Sequence, residues 1–221
     1  MNRLILSAMI SVALASPGLA QPGVIRPGLR APVVSLDPAG APAGPYTLDS
    51  RHMTLTARVR HSSLGYVSVH FDRVTGNLTW DPDVTKTKVT IDIDTKVIST
   101  NIPNGLGGGT FAQQVAGPDF FDGYTYPKAT FVSTKITKTD ASYGTIEGDL
   151  TLHGVTKPVV LHAELLGAGV DQLGERRIAF TATAMINRRD FGITMSTNEL
   201  IGDQVSLSID TEFCAGTNAC R

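Results

Sequence analysis

Apolar and polar residues alternate along residues 86–97, which read KTKVTIDIDTKV. Val89, Ile91 and Ile93 fall on one side of an extended chain, while lysine and aspartate side chains fall on the other. A period of two residues predicts a half-buried β-strand. Shorter runs of the same kind recur almost to the end of the chain.

These alternating runs predict ten strands separated by turn-forming sequences. The strands are Tyr46–Asp49, Thr54–Val59, Tyr66–Val74, Gly76–Trp80, Lys88–Val97, Thr130–Thr137, Ser142–Leu152, Lys157–Gly167, Arg176–Asn187 and Gln204–Phe213. Short connections make successive strands antiparallel neighbours, and closure of the sheet removes its exposed edges. The pattern therefore predicts an all-β fold, an extended antiparallel up-and-down barrel with one short helix between strands.

The predicted helix follows the glycine-rich segment Gly105–Gly109. Thr110 and Gln113 have the spacing of a capping box, and Gly117-Pro118 ends the helix. The adjacent aromatics Phe120 and Phe121 come next and are expected at one end of the barrel. They form either a lid that opens or a plug that seals the core, and the sequence leaves both alternatives open.

The chain begins with segments that do not belong to the barrel. Residues 1–20 combine Arg3, an apolar run and a small-residue site ending at Ala20, which predicts a cleaved secretion signal. Residues 21–45 contain six prolines and no aromatic residue, so we expect an extended linker or a disordered tether there. The barrel is predicted over residues 46–213, and residues 214–221 form a C-terminal tail.

Charge and targeting restrict the partners of the mature chain. Of 19 Lys and Arg and 20 Asp and Glu, the signal removes one Arg, which leaves a net charge of 18 − 20 = −2. A nucleic-acid-binding protein carries a basic face, so this net charge argues against nucleic acid as a partner. The signal predicts export to the periplasm.

Cys214 and Cys220 are the two cysteines of the chain. In an oxidising compartment, their separation by six residues in CAGTNAC favours a local disulfide. A metal pair or a reactive dithiol remains an alternative, although the chain has no CxxC motif at this point.

The residue patterns give little support for catalysis or metal binding. Five histidines are present, but no HxH or HExxH spacing occurs. There is no GxSxG nucleophile motif, and Gly105–Gly109 is not followed by Gly-Lys-Ser/Thr. Arg188, Arg189 and Asp190 are expected to form a local polar cluster near a strand end. We therefore expect neither a catalytic residue nor a metal site.

The apolar sides of the predicted strands form a candidate ligand-binding interior. Its residues are Leu55, Val59, Val69, Phe71, Ile91, Ile93, Phe131, Leu150, Leu152 and Phe180, with Val89, Leu161 and Ile209 on the same faces and with Phe120 and Phe121 at the mouth. Small residues at inward positions favour a cavity, namely Ala57, Ala163, Ala182 and Ala184. The alternative is that the inward side chains fill a small eight-stranded barrel.

Three segments carry a resemblance to a known family. They read DFFD followed by YPKATF within 119–131, GDLTLHGVTKPV at 148–159 and INRRDFGI at 186–193, together with Asp49, His52 and His61. With these segments the chain resembles the YceI-like family of bacterial secreted, lipocalin-like proteins over residues 46–213. The resemblance implies an extended barrel that holds a long apolar ligand, typically a polyisoprenoid such as the tail of a quinone.

The chain departs from the family pattern near the expected pocket. Met53 stands where the family usually has Ser, Ala57 replaces a large aromatic residue, and Gln114-Val115 replaces a His-Leu pair. These differences bear on which ligand is bound rather than on the architecture.

Three functions are compatible with these observations. The first is a periplasmic carrier of a polyisoprenoid, quinone or other long apolar lipid, with no required cofactor. The second is a lipid- or amide-directed hydrolase with His61 or His153 as base beside Asp49 or Asp119. The third is an accessory that presents a quinone to a membrane cytochrome, which implies transient contact with a membrane protein. A homodimer that shares the interior is compatible with each.

Overall fold

The structure, a computed structural model, describes residues 30–105, 107–216 and 220. The predicted signal peptide, residues 1–20, and the first part of the predicted linker, residues 21–29, lie outside the described residues. The described residues form an all-β fold with one α-helix, as the alternating sequence predicts.

The regular elements of the described residues are twelve strands, one α-helix and three short 3-10 turns. The strands are β1 Val33–Ser35, β2 Gly44–Leu48, β3 Thr54–His61, β4 Gly65–Phe71, β5 Val74–Trp80, β6 Lys88–Asp94, β7 Ile98–Thr100, β8 Lys128–Lys138, β9 Tyr143–Leu152, β10 Val155–Val170, β11 Arg176–Asn187 and β12 Ile201–Ala215; α1 is Phe111–Ala116, and the 3-10 turns are Pro38–Gly40, Val84–Lys86 and Arg188–Phe191. Each predicted strand has a counterpart, whereas β1 and β7 are additional.

The strands close into an antiparallel barrel. Three of its strands are bent, and each consists of two short strands that follow one another in the chain: β2 with β3, β4 with β5, and β6 with β7. β3 pairs with β4 while β2 pairs with β5, and β5 pairs with β6 while β4 pairs with β7. β6 and β8 to β12 then pair in chain order. β12 pairs with both β2 and β3, which closes the barrel. The three bent strands and β8 to β12 make eight strands that run up and down, so the predicted architecture is confirmed.

The strand predicted over Lys88–Val97 is wrong at its end, because β6 stops at Asp94. Thr95 is fully buried, its hydroxyl donates to the Tyr126 carbonyl at 2.7 Å, and its amide donates to the Pro127 carbonyl at 3.2 Å. These bonds divert the chain from the β-ladder until β7. Apolar and polar residues still alternate beyond Asp94, because the hydrogen-bond partners that end the strand are distant in the sequence and leave no trace in the local pattern.

The linker predicted to extend to Pro45 is also wrong for its described part. β1 pairs antiparallel with the end of β10. The following 3-10 turn is capped by the Asp37 carboxylate, which accepts from the Ala39 amide at 2.9 Å, and Ala41 is fully buried. Proline is tolerated beside an edge strand because the missing amide donor is not needed there. We call residues 30–43 the arm.

Helix α1 begins where the sequence predicts. The Thr110 hydroxyl accepts from the Gln113 amide at 3.2 Å, and the Gln113 side chain accepts from the Thr110 amide at 2.9 Å. This reciprocal capping box satisfies two amides that a helix start otherwise leaves unpaired. Val115 and Ala116 are buried, so the helix packs one side against the barrel.

Candidate functional site: an apolar cavity inside the barrel

The barrel encloses a cavity of about 400 Å³ whose walls are almost entirely apolar. The cavity reaches from the barrel end that carries α1 and His61, here the lid end, to the end that carries Pro38 and the β8–β9 turn, here the arm end. The interior is therefore hollow, and the alternative in which inward side chains fill the barrel does not hold.

All twelve residues predicted from the sequence to bind a ligand line this cavity. They are Leu55, Val59, Val69, Phe71, Ile91, Ile93, Phe120, Phe121, Phe131, Leu150, Leu152 and Phe180. Val89, Leu161 and Ile209 line it as well. The period of two residues thus identified the inward faces, while contact of these side chains with a ligand stays a prediction.

Small residues shape the open space. Ala57, Ala163 and Ala182 line the cavity as expected, whereas Ala184 is buried in the wall and does not line it. Gly148 lets the ring of Phe131 lie directly against the β9 backbone. A Cβ at Gly148 would lie 2.6 Å from the Val132 carbonyl oxygen and even closer to that ring.

An aromatic cluster at the arm end contains two residues, Trp80 and Phe213, that were not assigned to the site from the sequence. The ring centroids of Trp80 and Phe180 are 5.9 Å apart, and those of Phe180 and Phe213 are 6.4 Å apart. All three residues line the cavity. The signal that could have placed Trp80 here is the inward row Val74, Gly76, Leu78 and Trp80 along β5.

The lid end is covered by α1 and the residues that follow it. Phe120 and Phe121 are half-buried and line the cavity. The ring of Phe121 lies 5.4 Å from that of Phe71 on β4, in a tilted arrangement. This geometry fits both a lid and a plug.

The polar groups of the lid end differ in how they are satisfied. His61 continues the inward row of β3, and its imidazole has no hydrogen-bond partner among the described residues. Arg188 is buried, and its guanidinium donates to the carbonyls of Ile193, Met195, Ile201 and Gly202. Arg188 therefore holds the loop before β12 in place rather than offering free donors to a ligand.

The predicted pairing among Arg188, Arg189 and Asp190 is wrong. Both arginines bind Asp203 instead, at 3.0 Å and 2.6 Å. The 3-10 turn over Arg188–Phe191 leaves the Asp190 side chain exposed, so its neighbours in sequence do not face it.

A second polar cluster lies outside the cavity and surrounds Asp49, whose side chain is 1% exposed. Its carboxylate accepts from Arg177 at 2.9 Å and from Arg51 at 3.2 Å, and His52 Nδ1 lies 2.9 Å away. Burial raises the pKa of Asp49, but these hydrogen bonds outweigh burial and hold the pKa well below its usual range. Arg177 also binds Asp171, Glu175 and Glu212.

The geometry of this cluster does not support Asp49 as the carboxylate of the hydrolase hypothesis. Asp49 is bound to His52 rather than to His61 or His153. His153 Nδ1 lies 3.1 Å from the Phe191 carbonyl oxygen. Within the described ranges, no hydrogen bond or ion pair joins His61 or His153 to a carboxylate.

Cys214 and Cys220 form the predicted disulfide, with their Cα atoms 5.6 Å apart. Together with Asp49, the two sulfurs form a cluster whose potential ligand atoms lie within 4.8 Å of one another. Metal binding by cysteine requires thiolates, and the disulfide removes both. The cluster is therefore a structural staple between β12 and the tail.

No helix of sufficient length and apolarity to cross a membrane occurs in the part of the chain that the structure describes.

Known proteins resemble this chain in sequence or in fold. A UPF0312 protein of Vibrio cholerae is 32% identical over 166 residues, which cover 74% of this chain and 84% of that protein. The crystal structure of Burkholderia cenocepacia BcnA, 22% identical, has a TM-score of 0.64 and covers 75% of this chain and 98% of BcnA. A polyisoprenoid binding domain from Saccharophagus degradans, implicated in plant cell wall breakdown, is 16% identical with a TM-score of 0.56, over 77% of this chain and 98% of that domain.

The two structural likenesses establish the fold alone, because their sequence identities are low. The family profile described as YceI-like domain matches residues 46–213, which is the segment that forms the barrel from β2 to β12. This match confirms the resemblance seen in the sequence motifs. The chain belongs to the YceI-like domain family.

Proposed function

We propose that this protein is an exported binding protein that holds a polyisoprenoid, an isoprenoid quinone or another long apolar lipid in its barrel. The observation that carries the proposal is the continuous apolar cavity between the two barrel ends. Binding is the whole of the proposed activity, and no catalytic step is assigned. The relative from Saccharophagus degradans, named as a polyisoprenoid binding domain, supports this ligand class.

The length of the cavity suits an extended chain. β12 contributes lining residues from Ile201 to Phe213. At about 3.3 Å per residue and a strand tilt of about 40°, this stretch spans about 30 Å along the barrel axis. That length is similar to the hydrocarbon thickness of a bilayer, about 30 Å. A chain that occupies a membrane leaflet or more can therefore be enclosed almost completely.

The energetics favour binding without any polar contact. Burial of each methylene contributes up to about 0.8 kcal/mol, so ten such groups contribute about 8 kcal/mol, which corresponds to a micromolar dissociation constant. A longer chain adds to this value, and ordering of the flexible chain reduces it. The site needs only apolar walls and closed ends.

Co-purified lipid tests the proposal directly. The mature chain is produced with its own signal in an exporting bacterial host, purified without detergent and extracted with organic solvent for mass spectrometry. We expect a long-chain lipid in the extract, the periplasmic fraction as its source and an N-terminus at Gln21. Absence of lipid from folded, disulfide-bonded protein would contradict the proposal.

Neighbouring residues of β11 provide a matched pair of variants. Ala182 is buried and lines the cavity, whereas Thr183 is exposed on the outer face. Ala182→Phe places a ring in the tube and should remove most of the bound lipid, while Thr183→Phe adds the same ring outside and should not. Equal lipid content in the two variants, both shown to be folded by thermal melting, would place the lipid outside the barrel.

A further inference from the structure

Trp80 brings a buried polar N–H group into the largely apolar wall of the cavity. It is the single tryptophan of the chain, it is 3% exposed, and it lines the cavity. Its indole Nε1–H has no hydrogen-bond partner among the described residues. A buried donor without an acceptor costs about 1–3 kcal/mol, and a buried tryptophan usually finds a partner for this group.

The surroundings of Trp80 offer the donor no acceptor of their own. The neighbouring ring is that of Phe180. The Thr87 hydroxyl, which lines the cavity, accepts from the Asp81 amide and donates to the Asp81 carbonyl. The Thr211 hydroxyl, also in the lining, donates to the Phe180 carbonyl. These two hydroxyls of the wall are therefore engaged with main-chain atoms.

We propose that the Trp80 indole N–H donates to an uncharged oxygen acceptor, such as a carbonyl, on the bound lipid. This inference rests on the proposed function and specifies its ligand. The head group then lies at the arm end, and the apolar tail runs toward Phe71 and Phe121 at the lid end. Among the described residues, this buried and unsatisfied donor becomes the element that distinguishes a carbonyl-bearing lipid from a hydrocarbon.

The charge distribution favours an uncharged head group over a phosphate. A buried anion needs a paired positive charge. Among the described residues, the buried cationic side chain is that of Arg188, which lies at the lid end and is engaged by carbonyls and Asp203. At the arm end the lining includes the exposed Lys138. The buried groups there are the Trp80 donor and aromatic rings, which suit a ketone, quinone, ester or amide.

Two synthetic probes of equal shape test the inference. One is a benzoquinone with a geranylgeranyl tail, and the other is the corresponding geranylgeranyl benzene, which lacks the carbonyl groups. Because the chain has one tryptophan, its indole ¹H–¹⁵N resonance is a single peak. We expect this peak to move downfield when delipidated full-length mature protein binds the quinone, and to lack that movement with the benzene analogue.

Competition against a fluorescent lipid gives the affinities of both probes. One hydrogen bond of ordinary strength predicts about five- to tenfold tighter binding of the quinone than of the benzene analogue. Trp80→Phe keeps an aromatic ring but removes the donor, so the ratio should fall to about one. Phe71→Leu at the lid end should weaken both probes and leave the ratio unchanged.

The outcomes separate this inference from the proposed function. If both probes bind with equal affinity and the indole peak responds to them equally, the head-group contact is wrong, while lipid binding stands. If neither probe binds and no lipid co-purifies, the proposed function fails and the contact fails with it. The resonance measurement uses the unaltered protein, so the test does not depend on folding of the variants.

Discussion

At the scale of single residues, the charged cluster around Asp49 ties together elements that are distant in the chain. Arg177 on β11 reaches Asp49 just after β2 and Glu212 on β12. Breaking a buried ion pair by removing one partner costs about 3–5 kcal/mol, because the other charge is left uncompensated. The cluster therefore stabilises the position at which β12 closes the barrel.

Asp49→Asn should lower the free energy of unfolding by about 3 kcal/mol at neutral pH. The folded-state pKa of Asp49 lies below its usual value, so the ionised carboxylate contributes stability above about pH 4 and loses it as the pH falls toward the folded-state pKa. The difference between the wild type and the variant should therefore shrink below about pH 4. Denaturant unfolding across a pH series measures both effects.

Asp210→Asn is the matched control for this prediction. Asp210 is exposed, and the hydrogen bond that its carboxylate accepts comes from the Thr54 hydroxyl at 2.9 Å. Its substitution should change stability by less than about 0.5 kcal/mol. A similar decrease in the free energy of unfolding in both variants would show that the Asp49 cluster does not make the proposed contribution to stability.

At the scale of elements, α1 depends on its surroundings. The helix has six residues, which is too short for stability in isolation. Its capping box, the burial of Val115 and Ala116 and the contact between Phe121 and Phe71 hold the segment over the lid end. Few contacts bind such a segment to the barrel, and segments of this kind open before the whole fold does.

Phe121→Ala should accelerate release of bound lipid by about tenfold, since an aromatic pair contributes about 0.5–1.5 kcal/mol beyond its burial. The unfolding transition should change much less if the segment is a lid. Stopped-flow transfer of a fluorescent lipid to vesicles, together with thermal melting, measures the two effects.

Tyr124→Ala is the control, because Tyr124 belongs to the same segment and its side chain is 86% exposed. This variant should release lipid at the wild-type rate. If Phe121→Ala lowers stability and lipid retention to the same extent, the segment is a plug and the lid assignment is wrong.

At the scale of the whole molecule, one end of the barrel is covered by a segment inside the family match and the other end contacts a segment outside it. The lid segment lies within the family match over residues 46–213, whereas the arm precedes it. Pro38 of the arm lines the cavity, and Ala41 is fully buried. The arm end, with its aromatic cluster, is therefore lined in part by a residue that lies outside the family match.

Removal of residues 21–43 should open the arm end. Loss of the β1–β10 pairing and of buried Ala41 should lower the free energy of unfolding by about 1–2 kcal/mol and increase lipid exchange. A chain lacking only residues 21–29 keeps the arm and serves as the control. Equal lipid exchange in the two truncated chains would show that the arm does not restrict the cavity.

Much of the fold and of the candidate site could be predicted from local pattern. The alternation of apolar residues identified the barrel strands and ten of the twelve predicted cavity-lining side chains, while Phe120 and Phe121 were identified as adjacent aromatics after the predicted helix. The spacing of Thr110 and Gln113 identified the helix start, and the two cysteines identified the disulfide. Each of these features depends on residues close in sequence or on which side of a strand a residue faces, so the sequence by itself determined them.

Other features were decided only by the tertiary structure. Thr95 ends β6 because it finds a partner at Tyr126, and the arm is ordered because β10 extends beyond β9 and offers an edge. Asp49 meets Arg177 across 128 positions of sequence. The hollow interior depends on the difference between the barrel's enclosed volume and the summed volume of its inward side chains. The period and the composition of the sequence do not give the enclosed volume or how the inward side chains fill it. Both depend on how strands that are distant in the sequence pair to close the barrel.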